Sequence, residues 1–335
     1  MAFRNVSGFW PVVMALLGNV LVTLSKFVAA IASGSSVMFS EAIHSSADTL
    51  NQVLLLIGLS RSQKKADDSF EYGYGNERFF WALISACGIF FVGAGATAYK
   101  GVSMLLHPHG IEFSIVIIPV LVFAFCVEFY TFRIAASALA TSFPDSSLRE
   151  RMALADPMTL AVYLEDAVAV FGVLIAGISV AISYYTGNVL WDALGSLIIA
   201  ALLGLVAIVL IIKNRSYLLG RAMPEDMQEE VIALLEAEPA IEKVIDFKST
   251  MLGWGVYRIK CEVEFNGGAL LREASGRSSM RDQFDEVGKD FEEFKRFLAD
   301  YADRIPRLMG KKIDEIEKRL REKYPSIRHI DIEVN

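Results

Sequence analysis

The sequence predicts an all-α transmembrane domain of six helices followed by a small cytoplasmic α+β domain of order αββαβ. Three observations predict it. Residues 1–213 hold six long apolar runs. Lys and Arg recur at every second connection between those runs. Residues 214–335 turn charged and carry two stretches that alternate apolar and polar, the pattern of half-buried strands. The overall 54% hydrophobic and 21% charged residues in 335 thus average two different compositions.

The apolar runs lie near Trp10–Ala32, Val37–Leu59, Phe79–Leu106, Phe113–Leu139, Met158–Tyr184 and Val189–Ile212. Each reaches the roughly 20 helical residues that cross a hydrocarbon layer of about 30 Å. A soluble helix needs a polar face, so a buried core helix accounts poorly for six such runs in succession. The first run follows Arg4 but is too long for a signal peptide, contains Lys26, and has no small-residue cleavage pattern after it. It reads as a retained span.

Arg4 precedes the first run, and Arg61, Lys64, Lys65 and Arg78 follow the second. Arg149 and Arg151 follow the fourth, and Lys213, Arg215 and Arg221 follow the sixth. The connections around Ser33–Ser36, His107–Gly110 and Thr186–Asn188 carry neither Lys nor Arg. The positive-inside rule then places both termini in the cytoplasm, or in the matrix of an organelle. The N-terminus lacks the Arg/Ser-rich amphipathic stretch of a transit peptide, so a prokaryotic plasma membrane is the expected location.

In the second domain, Pro224 and Glu225-Asp226 start a helix. Val256–Phe265 forms a strand with Tyr257, Ile259, Cys261, Val263 and Phe265 inward, ended by Asn266-Gly267-Gly268. Lys243–Thr250 is its expected hairpin partner across Gly253–Gly255. Ala269–Ser279 reads as an insertion. Helices follow at Arg281–Met309 and Lys311–Lys323, with a break expected near Pro306 and Gly310. The final strand carries Ile330, Ile332 and Val334 inward.

Several partner classes are disfavoured. A net charge of −7 opposes nucleic-acid binding. No GxxxxGK[ST] sequence supplies a nucleotide phosphate loop. Cys87, Cys126 and Cys261 form no CxxC pair, hence neither a disulfide framework nor a thiolate zinc cluster.

The chemistry concentrates in charged residues at lipid depth. In the second run Glu41, His44, Asp48 and Asn51/Gln52 are spaced three or four apart, so they form one stripe along a helix. An ionisable group at the bilayer centre costs about 2.5–3.5 kcal/mol on insertion scales and needs a partner. His44 and Asp48 bring an imidazole and a carboxylate together one turn apart, which suits a divalent first-row metal. Both groups release a proton when a metal binds. In the fifth run Glu165 and Asp166 have no Lys or Arg nearby and are positioned to complete the site. Lys26 either balances a carboxylate or extends to the interface. Glu128 and Arg133 in the fourth run are candidates for pairing. His107 and His109 lie in an outer loop, and His329 projects from the last strand.

These stretches resemble the cation diffusion facilitator family of cation efflux proteins. The matching segments are Lys26–Ser35 (KFVAAIASGS), Ser40–Asp48 (SEAIHSSAD), Phe70–Glu77 (FEYGYGNE) and Leu164–Ala176 (LEDAVAVFGVLIA). The Leu-Glu-Asp of the last segment is similar to the branch containing the organellar zinc transporter. The resemblance implies a homodimer in a lipid bilayer and a tetrahedral site between the second and fifth helices. It also implies exchange of a divalent cation for protons. His44, Asp48 and Asp166 occupy the positions of family ligands. The family's further ligand, four residues before the aspartate, is here Val162, so Glu165, Glu41 or a water takes its place. The pair Asp67-Asp68 matches a secondary site of some members, with Tyr74 where a histidine is usual. The tail lacks the family's regulatory His and Asp set and is expected to support dimerisation.

The expected activity is export of Zn2+, with Mn2+, Fe2+ or Co2+ as alternative cargo, by proton-coupled alternating access; the chain is not expected to be an enzyme. A passive cation channel and a non-transporting membrane scaffold are the alternatives. A membrane-embedded hydrolase lacks the further motif that catalysis requires.

Overall fold

Helix α1 (Phe9–Ser33) stops at Gly34, whose φ of +63° belongs to the left-handed region that glycine adopts without strain. Ser35 then caps helix α2 (Ser36–Ser62), its hydroxyl accepting from the Met38 N–H at 3.2 Å. Two residues therefore suffice to reverse the chain. The computed structural model describes residues 9–108, 117–142, 144–275, 280–287 and 290–335. It divides into two units, Met1–Leu219 and Gly220–Asn335.

In the first unit α3 (Glu77–Gly88), a π turn (Ile89–Ala94) and α4 (Gly95–Leu106) run on as one 30-residue helix. Helix α5 (Ile117–Ser142) leads to the short α6 (Leu148–Leu154), which starts with a capping box between Ser147 and Glu150. Helix α7 (Pro157–Thr186) begins with proline in its first turn, where the missing N–H costs nothing, and ends at Gly187 with φ +65°. Helix α8 (Leu190–Leu218) closes the unit. Arg78 at the start of α3 holds Asp156 at the start of α7 at 2.7 Å.

Among the described residues, five helices are long and apolar enough to span a bilayer: Leu16–Ser33, Glu77–Leu106, Ile117–Ser142, Pro157–Thr186 and Leu190–Leu218. The outer side of α1 presents Leu17, Leu21, Leu24, Val28 and Ile31, all exposed and spaced three or four apart. A stripe of this kind suits lipid better than water, and the chain is a multi-pass membrane protein. Helix α2 is 27 residues long, but its polar stripe keeps it out of the apolar set. It touches α1, α3, α4, α7 and α8. Its polar residues Ser36, Ser40, Glu41, His44, Ser45 and Asn51 are buried among those neighbours.

In the second unit α9 (Glu225–Glu236) precedes the hairpin of β1 (Ile241–Gly253) and β2 (Val256–Phe265), turned through Gly255 at φ +70°. The sheet order is β1-β2-β3, with β2 antiparallel to β1 and parallel to β3 (Ile327–Val334). Tyr257, Ile259, Cys261 and Val263 are buried, as the alternation predicts, while Phe265 is only half-buried. Val334, expected inward, is the last residue of β3 and is 49% exposed.

The long helix departs from expectation. Helix α12 (Phe291–Lys323) runs unbroken through Pro306 and Gly310. Both residues are exposed, so the bonds that proline cannot make or blocks are left to solvent. Helix α11 (Met280–Val287) precedes α12, and the Asp290 carboxylate caps α12 by accepting from the Glu292 N–H at 3.1 Å. The stretch expected as an insertion is largely helical as α10 (Gly267–Ala274), which packs on α12 with Leu270 and Ala274 buried. His109, Gly110 and residues 276–279 lie outside the described residues.

Candidate metal centre

Helix α2 carries the centre because its stripe faces inward. His44 is wholly buried, and its Nδ1 lies 3.5 Å from Asp48 Oδ1 one turn on. Neither imidazole nitrogen has a hydrogen-bond partner among the described residues, and neither has Asp48 Oδ1. A buried polar atom without a partner costs about 1–3 kcal/mol, so the imidazole stands ready for a cation or a proton. Asp48 lies within the electrostatic reach of Glu165, Glu128, Asp166 and Lys26.

Glu165, Glu41 and Glu128 have protein partners. Glu165 on α7 accepts from the Asn51 side-chain amide on α2, and the Asn51 carbonyl accepts from the Ser85 hydroxyl on α3. Asp166 is half-buried, and the Thr131 hydroxyl of α5 donates to the Glu128 carbonyl at 2.9 Å. Glu41 points to α1, where Lys26 Nζ donates to its Oε2 at 2.7 Å and to Glu128 Oε1 at 2.6 Å. Lys26 therefore balances two carboxylates, and Glu128 is one of them. Arg133 is exposed. Val162 packs with the apolar core.

Of the five candidate ligands, the structure sets His44 and Asp48 side by side and sends Glu41 toward Lys26. Among the described residues, no three of His, Cys, Asp and Glu gather closely enough to enclose a metal ion. Glu41 and Glu165 are drawn instead to ammonium and amide donors on neighbouring helices. In the loop between α2 and α3, Asp67 accepts from Lys64 at 2.6 Å and from Tyr74 at 2.8 Å. These two bonds hold its carboxyl at about 2. Asp67 is thus committed to its own loop.

Two residues escaped the sequence reading. Asp192, in the first turn of α8, is fully buried at the start of α2. Its carboxylate accepts from the Ser35 hydroxyl at 2.5 Å and from the N–H groups of Ser36 and Val37 at 2.6 and 3.2 Å. A lone acid near a helix start reads as a dipole partner of its own helix, and nothing in its spacing points to α2. Gly172 of α7 was also missed. A Cβ there would overlap the Glu41 carboxylate as it is placed, so any larger residue would shift that side chain.

Comparison with known proteins identifies the family of this chain. The family described as Cation efflux transmembrane domain matches residues 12–219. The human mitochondrial proton-coupled zinc antiporter SLC30A9 is 39% identical over 336 residues, covering 96% of this chain and 58% of that protein. The Arabidopsis thaliana metal tolerance protein C4 is 35% identical over 335 residues, covering 97% of this chain and 73% of that protein. An uncharacterized transporter of Methanocaldococcus jannaschii is 25% identical over 251 residues, covering 72% of this chain and 81% of that protein. The chain spans less than two thirds of the length of the antiporter it matches. The mitochondrial and plant relatives give no support to the expected prokaryotic plasma membrane. The chain belongs to the cation efflux family.

Proposed function

We propose that this chain carries Zn2+ across a membrane in exchange for protons. His44 and Asp48 of α2 and Asp166 of α7 are the ligands, and Glu165 fills the position lost at Val162. The observation that carries this reading is the buried His44 ring 3.5 Å from Asp48, with both ring nitrogens unpartnered, in a cation efflux chain. The similarity to a protein named as a proton-coupled zinc antiporter supports the cargo and the counter-ion.

Cargo and proton compete for the same lone pairs. Zinc needs the imidazole neutral and the carboxylates ionised, so binding expels protons and protonation expels zinc. Helix α2 is the sixth span, admitted to the bilayer because the other helices cover its polar stripe. The Lys- and Arg-bearing connections and both termini face the cytoplasm or an organellar matrix. The chain works as a homodimer.

Titration calorimetry on the purified protein tests the ligand set. Zinc added in two buffers of different ionisation enthalpy is expected to bind with proton release. Asp48→Ala and Asp166→Ala are expected to remove that binding. Wild-type zinc stoichiometry in both variants would reject the assignment.

A further inference from the structure

Lys26 is the largest fully buried side chain of the described residues, and it is charged. Its Nζ binds Glu41 of α2 and Glu128 of α5 at 2.7 and 2.6 Å, so one ammonium ties three helices. Glu41 is wholly buried and Glu128 nearly so. A fourth helix shapes the same seat, because α7 offers only the bare backbone of Gly172 to the Glu41 carboxylate. Ion clusters of this kind gain little stability over a packed apolar set, since desolvation cancels much of the attraction. Stability alone does not account for the cluster.

Position accounts for it better. Glu41 sits one turn before His44 on the stripe that bears Asp48. A free carboxylate there would add oxygen donors to the metal's surroundings. Oxygen-rich sets suit harder ions such as Mn2+, whereas imidazole suits zinc. We propose that Lys26 is a specificity-determining residue, whose tethered ammonium holds Glu41 away from the transported ion, so that no fourth carboxylate joins the single His44 imidazole and its three acids. The inference rests on the reading of His44 and Asp48 as ligands. Lys26 is a positioning residue: it acts on the ion through Glu41 and does not touch it.

The test compares zinc and manganese uptake into proteoliposomes under one imposed pH gradient. Lys26→Gln is expected to lower the zinc-to-manganese ratio about tenfold. Lys26→Gln/Glu41→Gln is expected to restore the wild-type ratio, which a merely structural role for Lys26 would not do. Glu41→Gln alone is expected to keep that ratio, and it carries the test if Lys26→Gln does not fold. An unchanged ratio in a folded Lys26→Gln protein would overturn the inference, as would a Glu41→Gln protein as inactive with zinc as Asp48→Ala. Zinc uptake by Asp48→Ala at the wild-type rate would instead reject the ligand reading on which the inference stands.

Discussion

Asp192 of α8 accepts the backbone N–H of Ser36 at 2.6 Å, so an acid from one helix caps the start of another. The same carboxylate takes the Val37 N–H and the Ser35 hydroxyl. The first turn of α2, which precedes the metal stripe, thus depends on a residue about 150 positions away in sequence.

Removing that acid leaves three buried donors without their acceptor. Asp192→Ala is expected to destabilise the protein by about 2–3 kcal/mol. The thermal midpoint in detergent should fall accordingly. Zinc flux should fall with it, because α2 loses its fixed start. An unchanged midpoint would show that Ser35 alone suffices as a cap.

Asn51 links Glu165 to α2, and Ser85 orients Asn51. Partners that orient a metal ligand are worth about 10–100-fold in affinity. Asn51→Ala is therefore expected to raise the zinc concentration for half-maximal transport about tenfold, with a smaller change in maximal rate. Transport kinetics over a zinc series measure both. A loss confined to maximal rate would argue that Asn51 supports the helix contact and not the ligand.

Much of this arrangement was legible in the sequence, and the reason differs by element. The apolar runs gave the helices because hydrocarbon thickness sets their length. The stripe Glu41–His44–Asp48 gave one helix face because helical spacing is local. Pro306 misled because its local rule breaks a helix only where the lost bond has no other partner, and here it is exposed. The partners of Glu41, Glu165 and Asp192 were not legible. Each lies on another helix, and sequence spacing does not record which faces meet.

Asp67 offers a contrast to the buried acids. Bonds from Lys64 and Tyr74 hold its carboxyl at about 2, below the unfolded value of about 3.9. A depressed acid adds stability above its unfolded pKa and loses it as pH falls toward 2. The loop contact is thus complete throughout the pH range of transport. Asp67→Asn is expected to keep zinc flux within about twofold of wild type, as suits an exposed pair. Loss of flux comparable to Asp48→Ala would restore Asp67 as a metal residue.

Burial pushes the Cys261 thiol up to about 11. At neutral pH it is held as the unreactive thiol, and the β2 core covers it. In a protein lacking Cys87 and Cys126, maleimide at pH 7.5 is expected to leave Cys261 unmodified until denaturant is added. Rapid labelling of the native protein, followed by mass spectrometry, would place that strand at the surface.

The proposed function has zinc and protons compete for one buried set of donors, and coupled flux measures that competition. In proteoliposomes loaded with a pH dye, an imposed zinc gradient is expected to drive proton movement in the opposite direction, and a pH gradient is expected to drive zinc. Asp48→Ala and Asp166→Ala should abolish both together. Zinc flux that persists unchanged when the pH gradient is collapsed or reversed, with no proton movement, would contradict the account.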